Sequence, residues 1–186
     1  MRSLTLASLL VPFAVLAQPV DGGYAPTIAL PSTVNYAVGV AAVGSDLYVA
    51  NLQEASASGS VNALFLIEGC TGAIKRTVTQ GRVLQQLAFD GTSVWAVRMY
   101  RTLERLDGNG VAVETQSLPS SAMVVGLAFD RATGDRWELN GGSSTELTLK
   151  TRAGAVVRSI NTQASHTSWS GLAFDGCSLW SSDLSN

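Results

Sequence analysis

His166 is the single histidine of a 186-residue chain, and so the side chain best suited to move a proton near neutral pH. Glu54 could join it as a general acid or base if buried, but it opens "EASASGS" (54–60), a run of small polar residues that reads as a solvated loop. Three more carboxylates recur in one phrase: Asp90 in "QLAFDG", Asp130 in "GLAFDR" and Asp175 in "GLAFDG". Repeated carboxylates invite a metal or acid–base reading. Their place just before Gly or a polar turn residue gives a simpler one, because Asp there accepts hydrogen bonds from backbone N–H groups of the turn. The nucleophile elbow G-x-S-x-G, the zinc helix H-E-x-x-H and the phosphate loop G-x-x-x-x-G-K-[ST] are all absent. Cys70 and Cys177 lack the spacing of a metal knuckle, and with one His no zinc site is expected. Neither metal nor cofactor is expected, and no catalytic residue is assigned.

The elements that must position these residues are legible as an internal repeat. The phrases "GVAAVGSDLYVAN" (39–51), "QLAFDGTSVWAV" (86–97), "GLAFDRATGDRWEL" (126–139) and "GLAFDGCSLWSSD" (171–183) align on the apolar pair before the turn. Their starts are spaced by about 40 to 47 residues, the period of a four-stranded propeller blade. Each of the first three is followed by two β-rich runs around a Gly-bearing turn: "EGCTG", "DGNG" or "TRAG". Two tight hairpins per unit predict four antiparallel strands, A to D from inside to outside. Strands such as Leu47–Ala50 and Val94–Val97 are apolar on both faces, as strands covered on both sides must be. With no sustained helical period after the first residues, blades stacked face to face satisfy both facts.

The pattern "LAFDG-x-S-x-W" with its "D-G-x-G" or "C-T-G-A" turn resembles the repeat of secreted bacterial β-propellers related to the NHL and quinoprotein-like groups. The resemblance implies an all-β fold of four-stranded blades, three full and a fourth partial. It does not imply a function, since propellers host binders, scaffolds and enzymes alike. "APTIALP" (25–31) is expected to be a lone D strand at the front. Either the chain is a small four-bladed ring with a defective last blade or it is the front part of a larger propeller. An open edge favours the second. A Cys70–Cys177 disulfide could clasp a four-bladed closure, but Cys70, in a C–D turn, would sit near the rim and Cys177, in an A–B turn, near the axis, so separate thiols are expected if the propeller is longer. Trp95, Trp137 and Trp180, with Tyr48 in the first unit, are expected to fill the wedges between blades.

Residues 1–17, "MRSLTLASLLVPFAVLA", carry Arg2, an apolar run and a small residue at 17, the pattern of a secretory signal. Residues 18–24 then read as a linker and 25–186 as the propeller domain, so the protein is expected to be secreted or periplasmic, with no membrane span in the mature chain. A net charge of −2 and only 14% charged residues exclude an electrostatic case for nucleic acid. An apolar content of 46% argues against disorder.

Function on such a scaffold belongs to loops that the blade does not dictate. The D-to-A and B-to-C connections share one face, and there the sequence places Tyr36, Arg98, Tyr100, Arg101, His166 and Trp169. Aromatic and Arg side chains make binding hot spots. The expectation is a non-catalytic secreted module that recognises a peptide, glycan or protein partner. The alternatives are a propeller-fold enzyme of lyase or transferase type using His166 or Glu54, and a structural part of a larger extracellular protein.

Overall fold

The computed structural model describes residues 29–34, 36–52, 62–119, 123–141, 146–162 and 171–182. Among them are fourteen strands and no helix. Blade one is β1 (Ala37–Val43), β2 (Asp46–Asn51), β3 (Ala63–Glu68) and β4 (Ile74–Thr79). Blade two is β5 (Leu84–Phe89), β6 (Val94–Arg98), β7 (Thr102–Leu106) and β8 (Ala112–Ser117). Blade three is β9 (Val124–Phe129), β10 (Arg136–Asn140), β11 (Glu146–Lys150) and β12 (Val156–Asn161). Blade four consists of β13 (Leu172–Phe174) and β14 (Leu179–Ser181). Each sheet is antiparallel with its strands in chain order. The A strands β1, β5, β9 and β13 lie against one another in sequence. That is a β-propeller, built in the blade order that the repeat predicts.

Burial falls from the inside outward, which explains the composition of each strand. All six residues of β9 are buried, whereas β4 and β12 are exposed at every position but one. The seams between blades are dry and apolar. Ala50 and Leu64 of blade one pack with Leu84, Leu87, Val94 and Ala96 of blade two. In the next seam Trp95 and Val97 meet Val124, Leu127 and Phe129. At the first seam the A strands almost touch: a Cβ on Gly39 would lie 2.2 Å from the Gln85 carbonyl oxygen. Glycine there is required by backbone-to-backbone approach.

The recurrent aspartates do what their turn position predicts. Asp90 Oδ1 accepts from the N–H groups of Thr92 and Ser93, both at 2.7 Å, and Asp175 Oδ1 accepts from Cys177 (2.8 Å) and Ser178 (2.7 Å). The second oxygen takes the indole N–H of the B-strand tryptophan, Trp95 at 2.8 Å and Trp180 at 2.9 Å. One carboxylate thus closes the turn and fixes the aromatic ring five residues on. In blade three the two extra residues move Trp137 seven positions from Asp130, whose carboxylate accepts from Ala132 N–H at 2.9 Å.

These bonds have a pH signature. Burial pushes the Asp90 carboxyl up, but the bonds from Trp95, Ser93 and Thr92 outweigh it and hold it below 3.8. Donors from Ser178, Trp180 and Cys177 bring Asp175 down to about 2. A depressed folded value means stability that is complete above the unfolded value near 4 and is lost as pH falls through the folded one. Urea melts of an Asp90→Asn, Asp175→Asn variant are expected to show a smaller drop between pH 5 and pH 2.5 than the parent. An equal drop would remove these carboxylates from the acid response.

Two expectations need correction or restriction. Residues 29–31, the described part of the proposed front D strand, carry no strand; Val34 N–H donates to the Pro31 carbonyl at 2.8 Å, turning the chain. Val34 then packs on Val49, Phe65 and Ile67 across the outer face of blade one. The wedge role holds for Trp95, 3% exposed, and fails for Trp180, 64% exposed. Trp95 has Phe129 of the following A strand in front of it, and Trp180 has no such neighbour among the described residues. Cys70 and Cys177 are both free and exposed. The proposed signal and linker lie outside the described residues.

Candidate functional site

A cleft of about 860 Å³ opens between blade one and the short fourth blade. One wall is the start of β1, with Tyr36, Val38 and Val40. The opposite wall is β13 and β14, with Ala173, Trp180 and Ser182. Gln85 and Leu87 of β5 line it too, and Tyr100 reaches it from the turn after β6. Tyr36 is 50% exposed, Val40 59% and Trp180 64%, so apolar surface that the other seams bury stands open here.

Tyr36 is held by its backbone. Its N–H donates to Asn51 Oδ1 at 2.9 Å and its carbonyl accepts from Leu52 N–H at 2.9 Å. Tyr100 is held more expensively. The turn Arg98–Arg101 is closed by Arg101 N–H donating to the Arg98 carbonyl at 3.2 Å, and both central residues are left-handed, Met99 at φ 47° and Tyr100 at φ 65°. Consecutive positive φ values suit the Asn-Gly pair of a type I′ hairpin, and side chains with a Cβ are strained there by about 1–2 kcal/mol each. Buried Gln85 anchors the strained residue by accepting Tyr100 N–H at 2.8 Å. Partial burial also pushes the Tyr100 phenol above 10.0, against the lowering effect of Gln85. Strain kept at a cleft is a mark of function. Met99→Asn with Tyr100→Gly is expected to raise stability by about 1–3 kcal/mol while removing one aromatic side chain from the cleft. A thermal melt with an unchanged or lower midpoint would mean that the turn is not strained.

The six sequence-predicted residues therefore separate. Tyr36 and Tyr100 come together at the cleft. Arg98 is committed elsewhere, its Nε 2.8 Å from Glu104 Oε1, a carboxylate 2% exposed. Arg82 Nε lies 3.0 Å from the other oxygen of Glu104, a charge contact without hydrogen-bond alignment. Arg101 is exposed, and its carbonyl receives Leu118 N–H at 2.8 Å. His166 and Trp169, with Glu54, lie outside the described residues. Trp180 and Gln85 were missed as cleft residues, Trp180 because the repeat assigns it to a wedge and Gln85 because nothing marks one glutamine among several. No group of three metal-ligating side chains forms among the described residues.

No protein-family model matches the chain, and no curated protein matches it. Solved structures do. A glutaminyl cyclase of Myxococcus xanthus superposes with TM-score 0.62 at 14% identity over 83% of this chain, which spans 64% of that protein's length. The computationally designed Ika4 protein gives TM-score 0.47 at 13% identity, covering 87% of this chain and 93% of that one. BamB of Moraxella catarrhalis gives 0.42 at 20% identity, covering 67% and 37%. The first likeness supports the propeller fold read from the sheets.

Proposed function

We propose that this chain is a secreted or periplasmic propeller module, without catalysis of its own, that recognises a peptide, glycan or protein partner. The observation that carries the reading is the cleft between blades one and four, which presents Tyr36, Tyr100 and Trp180 around an apolar floor. Its volume is in the range of ligand pockets, about 300–1,000 Å³. Aromatic rings supply large contact area at low entropic cost, and Gln85 beside them offers a fixed polar group for orientation. Export is supported by the pattern of residues 1–17. No helix among the described residues is long and apolar enough to cross a membrane.

The test is a glycan array and a random tetrapeptide library probed with the full chain and with a Tyr36→Ala, Tyr100→Ala variant. Binders whose affinity falls at least tenfold in the variant support the cleft, and binders indifferent to both changes place recognition elsewhere. Cyclisation of an N-terminal glutaminyl peptide would overturn the non-catalytic part of the reading.

A further inference from the structure

Glu104 is buried, and two arginines hold it. It stands on β7 opposite Ala96, a residue of the seam between blades one and two. Arg98 Nε donates to one carboxylate oxygen at 2.8 Å, whereas Arg82 Nε and the other oxygen, 3.0 Å apart and both buried, lack the alignment of a hydrogen bond. Each guanidinium thus spends only its Nε on Glu104. The four terminal nitrogens bond no protein atom among the described residues and stay open to solvent, on side chains 37% and 33% exposed. Arg82 belongs to the β4–β5 connection and Arg98 to the end of β6, so both stand at the mouth of the seam, on the face that bears the cleft. None of the three residues lines that cleft.

The other blades show that the fold does not ask for this charge. Register sets Arg98 and Glu104 where blade three has Asn140 and Thr148, which share a neutral hydrogen bond at 3.1 Å, and where blade one has Asn51 and Phe65. Two guanidiniums on one carboxylate leave a positive charge in excess, and Arg101, exposed three residues beyond Arg98, adds another in a chain whose net charge is −2. We propose that the open ends of Arg82 and Arg98 seat the carboxylate of a ligand, either a peptide terminus or a uronic acid, at the mouth of this seam. Like charges gathered on one carboxylate repel, and a second carboxylate between them relieves the repulsion. The planar guanidinium fork matches carboxylate geometry, and Glu104 fixes both forks before the ligand arrives. A buried donor and acceptor in contact without a proper bond call for an explanation beyond the fold, and a ligand that turns Arg82 into line supplies one. The inference goes beyond the cleft and does not rest on it.

The probes are N-acetyl-diglycine with its free carboxylate, the same peptide as its amide, glucuronate, glucose and inorganic sulfate. Each is titrated into the full chain at constant ionic strength, so that general screening does not change, with the arginine Nε–H resonances followed by NMR. Saturable shifts of the Arg82 and Arg98 signals are expected with a carboxylate probe and none with its neutral counterpart; the tighter of the two carboxylates identifies the source. Arg82→Ala is expected to weaken that binding at least tenfold. Arg98→Asn with Glu104→Thr copies blade three and is expected to abolish it with the circular dichroism retained. Should the double variant fail to fold, Arg82→Ala, a change at a partly exposed side chain, still decides. No saturable shift, sulfate binding tighter than either carboxylate, or Arg82→Ala binding as the parent does overturns the proposal.

Discussion

Truncating Trp95 to alanine is expected to destabilise the protein by about 3–5 kcal/mol, while the same change at Trp180 should cost far less. The two residues hold the same repeat position and make the same bond to an aspartate, so the comparison isolates packing. Trp95 is 3% exposed in the seam between blades two and three, with the Phe129 ring 5.9 Å from its own, centroid to centroid. Removing the indole opens a cavity that rigid strands on either side cannot fill, and it leaves Asp90 Oδ2 without its donor. Trp180 is 64% exposed and leaves no such cavity. Urea melts of the two variants check this. Equal losses would mean that the aspartate bond, not the seam, carries the tryptophan's contribution.

That contrast also shows how far the sequence could be read. The blade order and the turn aspartates were legible because each is repeated, and a repeat reports what all units share. The cleft was not, because it is made of departures from the repeat. Phe89 and Phe129 stand where blade one has Ala42. The left-handed pair at Met99 and Tyr100 carries no Gly or Asn to announce it. Arg98 read as a free loop cation because the strand pairing that sets Glu104 beside it is not visible in a linear pattern; in the structure the two groups form one ion pair.

The second large effect concerns charge where the repeat has none. Glu138 is 1% exposed in β10, with Arg136 Nε at 2.7 Å and the Lys150 ammonium on its other oxygen. Register places Arg136 beside Phe129 and Glu138 beside Leu127, residues that face the Trp95 seam, so the three charges lie against blade two. Blade two answers the same positions with Val94, Ala96 and Leu106. Glu138→Ala alone leaves two cations buried without their counter-ion, and a loss of about 3–5 kcal/mol is expected. The triple change Arg136→Val, Glu138→Ala, Lys150→Leu copies blade two and removes every charge together. Since desolvating three ions offsets most of their mutual attraction, that variant is expected to lie within about 2 kcal/mol of the parent or above it. Chemical denaturation of the single and triple variants measures both values on one scale. If the triple variant is as unstable as the single one, the seam depends on the ion triad itself, and blades two and three are not interchangeable in the way their shared register implies.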